Sequence, residues 1–173
     1  MSRVLDFLYR AAALIAAGSI GCICVLISAQ VLLNAATRAG LPLPPTIPSY
    51  ADFAGFLLAG ATFLALPWTL RSGGHVRVNL VTQALPKRLA FAVELGVLAL
   101  AAAFAGYATW FAALLVEESH RFGDVSSGIV PVPLWLPQST MVLGLGLLCV
   151  ALLHSLAQTW ASGAPVIGAG EEG

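Results

Sequence analysis

The sequence AAALIAAGSIGCICVLISAQVLL, at residues 11–33, runs for 23 positions without a charged side chain. About 20 consecutive apolar residues form a helix long enough to cross the roughly 30 Å hydrocarbon core of a bilayer. A cleaved signal peptide has a shorter apolar segment, of about 7–15 residues. We therefore interpret this stretch as a retained transmembrane helix.

Three further apolar stretches of similar length follow, at residues 51–70, 89–116 and 133–157. Their only charged or histidine side chains are Asp52, Glu94 and His154, one in each stretch. The four stretches predict an all-α integral membrane protein with a single four-helix transmembrane domain over residues 1–160. Residues 161–173 are rich in glycine and alanine, and we expect them to form a flexible cytoplasmic tail.

The overall composition excludes several classes of protein. Of the 173 residues, 59% are hydrophobic and 9% are charged, whereas about 25% are charged in an ordinary soluble domain. Eight basic residues balance eight acidic ones, so no basic face is expected that would neutralise a nucleic-acid backbone. The high hydrophobicity also argues against intrinsic disorder. These numbers favour a multi-pass membrane protein in contact with lipid.

The basic residues near the ends of the spans predict the orientation of the chain, because short cytoplasmic loops carry an excess of Lys and Arg. If the N-terminus is cytoplasmic, two basic residues lie in outer loops, Arg38 and Arg121. The other six then lie on the inner side: Arg3, Arg10, Arg71, Arg77, Lys87 and Arg88. This distribution predicts that both termini are cytoplasmic.

The three connections between the spans differ in character. Residues 40–48 contain four prolines, which predict a stiff outer loop. Residues 71–86 alternate apolar and polar side chains after a pair of glycines, which predicts a short amphipathic segment in the inner headgroup layer between the second and third helices. Residues 117–132 are the most polar part of the chain, and we expect them to form an outer loop.

Glu94 is the one carboxylate well inside a predicted span, and an ionisable side chain there suggests a functional role. Glu94 also lies less than two turns from the inner end of its helix. Its charge can therefore be balanced by pairing with a basic inner-loop residue such as Arg71 or Arg77, or with another chain, which would be a structural role. Asp52, at the outer end of the second span, favours the helix N-terminus electrostatically. We interpret both residues as structural or interface groups.

The histidines and cysteines leave one alternative open. His75 and His154 both lie near the inner face, as a pair of haem ligands in a membrane cytochrome would. His75 follows two glycines in a loop, however, and His120 lies on the other side of the membrane. The three cysteines, Cys22, Cys24 and Cys149, fall within spans and are most simply packing residues. We expect no cofactor, no metal and no enzymatic activity.

Small residues in all four spans allow helix backbones to approach closely. The glycines concerned are Gly18, Gly21, Gly55, Gly60, Gly96, Gly106, Gly144 and Gly146. The third span is also longer than the bilayer is thick, so it must tilt or protrude. Together these features favour packing against a larger partner, and packing of the four helices only against one another is the alternative.

The inner-loop string RSGGHVRVNL at residues 71–80, followed by LPKR at 85–88, resembles the small membrane subunit (DctQ-like) of tripartite ATP-independent periplasmic (TRAP) transporters. The resemblance covers the whole chain, and the polar residues Gln30, Asn34, Arg38 and Asp52 fall where this family tends to carry similar ones. Two positions depart from the family pattern. Asn79 stands where Asp is frequent, and Asp52 stands where a Glu preceded by Trp is usual.

The resemblance implies a scaffold subunit in the bacterial inner membrane. In that family a periplasmic solute-binding protein delivers an organic acid, commonly a carboxylate, to a large multi-helix subunit that imports it by sodium symport. By this resemblance we expect Arg71, His75, Arg77 and Glu94 to act as inner-face or intersubunit anchors. Candidate contacts with the receptor on the outer face are Asp52, Glu117, Glu118 and Asp124. A haem-bearing membrane anchor and a self-sufficient oligomeric transporter remain the alternatives.

Overall fold

The computed structural model describes residues 2–72 and 86–162, which form four helices. These are α1 (Ser2–Arg38), α2 (Tyr50–Arg71), α3 (Lys87–Phe122) and α4 (Trp135–Ser162). Each is long and apolar enough to cross a membrane, and the described residues contain no strand. The prediction of an all-helical protein with four membrane-spanning helices is therefore confirmed. The amphipathic segment expected between the second and third helices, and residues 163–173 of the expected tail, lie outside the described residues.

Two of the helices extend well beyond the apolar stretches that predicted them. α1 contains 37 residues and α3 contains 36, so each measures about 54 Å at 1.5 Å per residue. The polar residues Glu117 and Glu118, expected in an outer loop, instead belong to the last turns of α3. Hydropathy marks only the part of a helix that lies in lipid, and Glu is itself a good helix former. α3 ends where Gly123 adopts a left-handed conformation with φ 69°.

The helices stand in an open row in the order α1, α2, α4, α3. Extensive contacts join α1 to α2, α2 to α4, and α4 to α3. The two shorter helices thus form the centre of the row, and the two long ones form its edges. We call the two ends of the row the Arg71 end, where α1 and α3 begin and α2 and α4 finish, and the Asp52 end, where α2 and α4 begin.

The core consists largely of small side chains because the helices lie close together. A cluster of buried residues from all four helices lies towards the Arg71 end: Tyr9, Leu70, Leu98, Ala102, Ala105, Ala151 and Leu152. A second cluster joins α1 to α2 and contains Ala12, Ala16, Ala61 and Leu64. Alanine at these contacts allows neighbouring backbones to approach each other, which is how helices gain van der Waals contact in a membrane.

The helices α2 and α4 approach each other closely along a seam. A Cβ atom added at Gly144 would collide with the backbone carbonyl of Phe63, and one added at Gly60 would meet Thr140 Oγ1 at 3.4 Å. Pro67, which is buried within α2, has no N–H to donate to the carbonyl four residues earlier, that of Phe63. Gly144 therefore packs against a carbonyl that a proline has released from the helical hydrogen-bond ladder.

The glycines predicted to form packing faces divide into two groups. Four lie at helix contacts: Gly60 and Gly144 at the seam, and Gly106 and Gly146 between α3 and α4. The other four have no atom within 4 Å of an added Cβ: Gly18, Gly21, Gly55 and Gly96. Two of these open glycines lie on α1, one of the edge helices.

Candidate functional site

The Arg71 side chain joins the two central helices at the Arg71 end. Its Nη1 atom donates hydrogen bonds to Gln158 Oε1 at 2.8 Å and to Ser155 Oγ at 3.2 Å, and Ser155 is fully buried. Both acceptors are neutral groups, so these two hydrogen bonds place no negative charge beside the guanidinium. Hydrogen bonds from a charged donor are stronger than neutral ones, and this pair fixes the end of α2 against α4.

Two hydroxyl groups near Arg71 are buried without a partner. Tyr9 is 1% exposed and Thr159 is fully buried. The Oη atom of Tyr9 and the Oγ1 atom of Thr159 find no hydrogen-bond acceptor or donor within the described part of the chain. Buried polar groups are nearly always satisfied in a finished assembly. The Arg71 end therefore contains a cationic side chain and two buried hydroxyl groups that make no hydrogen bond within the described residues.

The remaining residues expected at the inner face are only partly within the described structure. His75 and Arg77 lie outside the described residues. Glu94 lies in α3 and is 9% exposed, on the same helix face as the core residues Leu98 and Ala102. Its carboxylate is thus directed into the protein and away from lipid.

At the Asp52 end, the connection between α3 and α4 folds over the start of α2. The backbone N–H of Val130 donates to Ser49 Oγ at 2.9 Å. A Cβ atom added at Gly128 would collide with the Asp52 carboxylate and with Ser49 Oγ, so only glycine fits there. Asp52 is consequently half-covered by this connection, and its charge lies at the N-terminus of α2, where a carboxylate is electrostatically favoured.

The connection itself is a compact, hydrogen-bonded turn. Ser126 N donates to Val132 O at 2.9 Å, and Leu134 N donates to Asp124 O at 2.9 Å. The Ser126 hydroxyl accepts from Val132 N at 3.0 Å. These bonds fix the polar backbone of the turn without help from another chain.

The other candidate receptor contacts lie at the same end and are accessible. Glu117, Glu118 and Asp124 are all exposed. The ring of His120 packs edge-on against Trp135 at a centroid distance of 5.5 Å, which joins the end of α3 to the start of α4. The structure thus places all four predicted receptor contacts at the Asp52 end, with Asp52 set back beneath the turn.

The proline-rich loop is bound to α1 by side-chain hydrogen bonds. Gln30 is buried, and its Oε1 atom accepts from Ile47 N at 2.7 Å and from Thr46 Oγ1 at 3.4 Å. Its Nε2 atom donates to Pro45 O at 3.3 Å. Thr37 Oγ1 lies 3.3 Å from the carbonyl of Leu43, which adds a second contact. A glutamine inside an apolar span therefore holds the loop against the helix.

Within the described ranges, no group of three or more His, Cys, Asp or Glu side chains is placed to hold a metal ion. His154 is half-buried in α4, and its proposed haem partner His75 lies outside those ranges. Cys149 contacts the carbonyl of Ala102 at 3.6 Å, whereas Cys22 and Cys24 are exposed on α1. Cys149 thus contributes to the contact between α4 and α3, whereas Cys22 and Cys24 lie on the open face of α1.

Several contacts in these regions involve residues with no distinctive pattern in the sequence around them. Ser155 and Gln158 receive Arg71, but each is an ordinary polar residue near the end of a span. Gly128 is one glycine in a polar loop. The seam was partly signalled by its glycines Gly60 and Gly144, and Pro67 inside an apolar helix is a further signal, because such a proline releases a carbonyl that needs a close neighbour.

A family model described as tripartite ATP-independent periplasmic transporters, DctQ component, matches residues 23–162. No curated protein and no solved structure matches the chain significantly. The matched residues include the C-terminal part of α1 from residue 23 onward, all of α2, α3 and α4, and every polar contact described above except the buried Tyr9 hydroxyl. The chain belongs to the DctQ family and is a small membrane subunit of a TRAP transporter.

Proposed function

We propose that this chain is a scaffold that supports a large multi-helix subunit and works with a periplasmic solute-binding protein. The observation that carries the proposal is the open row of helices in a chain of the DctQ family. The central helices α2 and α4 pack against each other and against one edge helix each. The long edge helices α1 and α3 each have one neighbour in the row, so each retains a broad face for a partner or for lipid.

The face of α3 turned away from α4 supports a role in packing. Its exposed side chains recur every three or four residues, which places them on one side of the helix. They are Val93, Val97, Leu100, Phe104, Tyr107 and Phe111. At about 54 Å, α3 also extends beyond a 30 Å hydrocarbon core, so it offers contact surface on both sides of the membrane.

We infer that the Arg71 end faces the cytoplasm. Arg3, Arg10, Arg71 and Arg88 lie at this end, and Arg38 and Arg121 lie at the other, which agrees with the excess of basic residues expected inside. Under this orientation, Arg71, His75, Arg77 and Glu94 are inner-face anchors.

The Asp52 end then faces the periplasm. Its exposed carboxylates, Glu117, Glu118 and Asp124, form an acidic surface that the solute-binding protein is proposed to touch, with Asp52 behind it. The transported solute is proposed to be an organic acid, in particular a carboxylate, and the driving force a sodium gradient. Both of these properties come from the family resemblance, and both would reside mainly in the partner subunits.

Co-purification tests the scaffold role directly. The tagged chain is extracted from its native membrane in mild detergent, and the co-purifying proteins are identified by mass spectrometry. We expect a much larger polytopic protein in near-equal amount. Recovery of this chain alone, or a haem absorption band that disappears in His154→Ala, would contradict the proposal.

Transport by reconstituted subunits tests the proposed solute class and the proposed sodium coupling. Proteoliposomes with the small chain, the large subunit and the solute-binding protein should accumulate a carboxylate only when a sodium gradient is imposed. Omission of the small chain should abolish uptake, and Glu94→Gln should reduce it only as far as it reduces complex assembly. Uptake by the small chain alone would support the self-sufficient transporter instead.

A further inference from the structure

An open groove runs along the surface between α1 and α2 towards the Arg71 end. It has a volume of about 480 Å³ and is lined by Ala13, Ala16, Ala17, Ile20, Ala61, Thr62, Ala65 and Trp68. A second depression of about 490 Å³, lined by Arg10, Ala13, Leu14 and Trp68, adjoins it. Both share Ala13 and Trp68, so we treat them as one channel, the Arg10 groove. From Arg10 to Ile20 it follows ten residues of helix, which is about 15 Å.

The walls of the Arg10 groove are apolar because many of their residues are alanines. α1 and α2 face each other here with alanine side chains, which leave space beside the buried contact of Ala16 with Ala61. The one hydroxyl in the wall, that of Thr62, donates to Leu58 O at 2.8 Å and is therefore satisfied within its own helix. The groove thus offers shape and hydrophobicity along its length.

A cation lies at the end of this channel. The Arg10 guanidinium carbon is 5.6 Å from the centre of the Trp68 ring, a cation–π contact that holds it at the mouth of the groove. Arg10 is exposed and makes no ion pair with any residue in 2–72 or 86–162. Arg3 is exposed on the same side of α1, two turns earlier. From its mouth inward, the groove therefore presents the positive charge of Arg10, then the aromatic ring of Trp68, and then an apolar channel.

We propose that the Arg10 groove binds a phospholipid with an anionic headgroup, such as phosphatidylglycerol. The phosphate lies against Arg10 at the mouth, and one acyl chain follows the alanine-lined channel towards Ile20. The argument is one of complementarity, because such a lipid presents an anionic group followed by an apolar chain in the same order as the groove. Trp at the mouth is the residue that membrane proteins favour at the headgroup level.

Differential quenching at Trp68 tests this assignment. The full chain is prepared with Trp110, Trp135 and Trp160 replaced by Phe, and is reconstituted in bilayers containing brominated phosphatidylglycerol or brominated phosphatidylcholine. One basic residue near a membrane surface favours an anionic lipid by about fivefold, so we expect that preference at Trp68. Arg10→Gln should abolish it, whereas the matched control Arg88→Gln, at the same end on α3, should preserve it.

A second variant separates binding in the groove from attraction to the surface. Ala17→Leu fills the channel but keeps Arg10, so bromines placed along the acyl chain should quench Trp68 less, while headgroup preference falls only in part. Equal quenching by the two lipids in the chain that retains Trp68 and Arg10, or a preference unchanged in Arg10→Gln, would overturn the proposal. So would a photoreactive residue at position 17 that crosslinks to a protein in native membranes and to no lipid.

This inference goes beyond the scaffold function and does not rest on it. The quenching experiment uses the chain reconstituted without other subunits, so its failure leaves the co-purification experiment unaffected. Near-equal recovery of a large subunit likewise says nothing about the Arg10 groove. Elution as a single species in detergent, required of every variant, excludes misfolding as the cause of a lost preference.

Discussion

The seam between α2 and α4 and the open faces of α1 and α3 are made from similar residues but are used differently. Gly60 and Gly144 lie against side chain or backbone of the facing helix, whereas Gly21 on α1 and Gly96 on α3 face open space. At the seam, glycine is required by close approach. At the edges, the same residue type leaves a smooth surface that another molecule is free to approach. Small residues therefore mark contact surfaces without saying which of them the chain uses for itself.

The difference also extends to the polar contacts. Arg71 and the turn at Gly128 fasten the two ends of the central pair, so the seam is closed along its length. The edge helix α1 is held to the rest by alanine contacts near the Arg71 end and by Gln30 at the other. Four substitutions test whether the seam is the stable centre of this chain and the edges its adaptable part.

The largest effect is expected from Gly144→Ala. The added methyl group falls on the Phe63 carbonyl, which is backbone and has no means of moving away, so α2 and α4 must separate. We expect a loss of about 3 kcal/mol or more of folding free energy. The measurement is reversible unfolding in mixed micelles followed by circular dichroism. Gly21→Ala is the matched control and should be neutral or slightly stabilising, since nothing lies near it and Ala favours the helix. Equal stability of the two variants would remove the distinction between seam and edge.

Arg71→Met should have the next largest effect. It keeps the length of the side chain but deletes the hydrogen bonds to Ser155 and Gln158, and we expect a loss of about 2 kcal/mol in the same unfolding assay. Arg88→Met removes an exposed charge at the same end and should change stability little. If both variants lost the same amount, Arg71 would act through surface charge rather than by joining α2 to α4.

Gly128→Ala should act locally at the other end of the seam. Its methyl group displaces the Asp52 carboxylate and Ser49, so the turn over α2 should open at a cost of about 1–2 kcal/mol. Hydrogen exchange of the Val130 amide reports this opening, because that amide is bonded to Ser49. Adding Asp52→Ala should recover part of the loss, since it removes one of the colliding groups. Ser127→Ala, at an exposed position nearby, should leave exchange unchanged, and a purely additive double variant would contradict the contact.

Gln30→Ala should have the smallest effect on global stability. It frees the backbone N–H of Ile47 and should raise hydrogen exchange at that amide by about fivefold to tenfold, corresponding to about 1 kcal/mol for a hydrogen bond. Unfolding of the four helices should change little, because the loop lies outside the seam. Asn34→Ala, one turn later and exposed, is the matched control. A large loss of global stability in Gln30→Ala would show that the edge helix is as integral to the fold as the seam.

The number and approximate position of the helices were predictable because the requirement to fill a hydrocarbon core acts on each stretch of sequence separately. The helix ends were less predictable. Glu117 and Glu118 are polar and so were assigned to a loop, yet backbone hydrogen bonding continues until Gly123 provides a left-handed residue. Hydropathy reports depth in the membrane, while helix termination depends on local backbone geometry.

The contacts of the candidate residues were predictable only in part. Arg71 was singled out as an anchor, but its acceptors lie more than 80 residues away, and nothing in their local sequence distinguishes them. Asp52 was expected to contact an outer partner, and in the described structure its carboxylate lies against Gly128 of the chain's own turn. Gln30 was quoted only for the family resemblance, although it fastens the proline-rich loop.

The sequence by itself determined that this chain is a four-helix membrane protein and carried the DctQ resemblance, because apolar length and the inner-loop string are local properties. Only the tertiary structure decided the order α1, α2, α4, α3, the use of Gly144 rather than Gly21 at a close contact, and the pairing of Arg10 with Trp68 beside a groove. Those outcomes depend on which helix faces meet. In lipid, any apolar helix face is equally well solvated, so hydropathy does not determine which faces pack together. The contacts are determined by the shapes of the helices and by the hydrogen bonds between them.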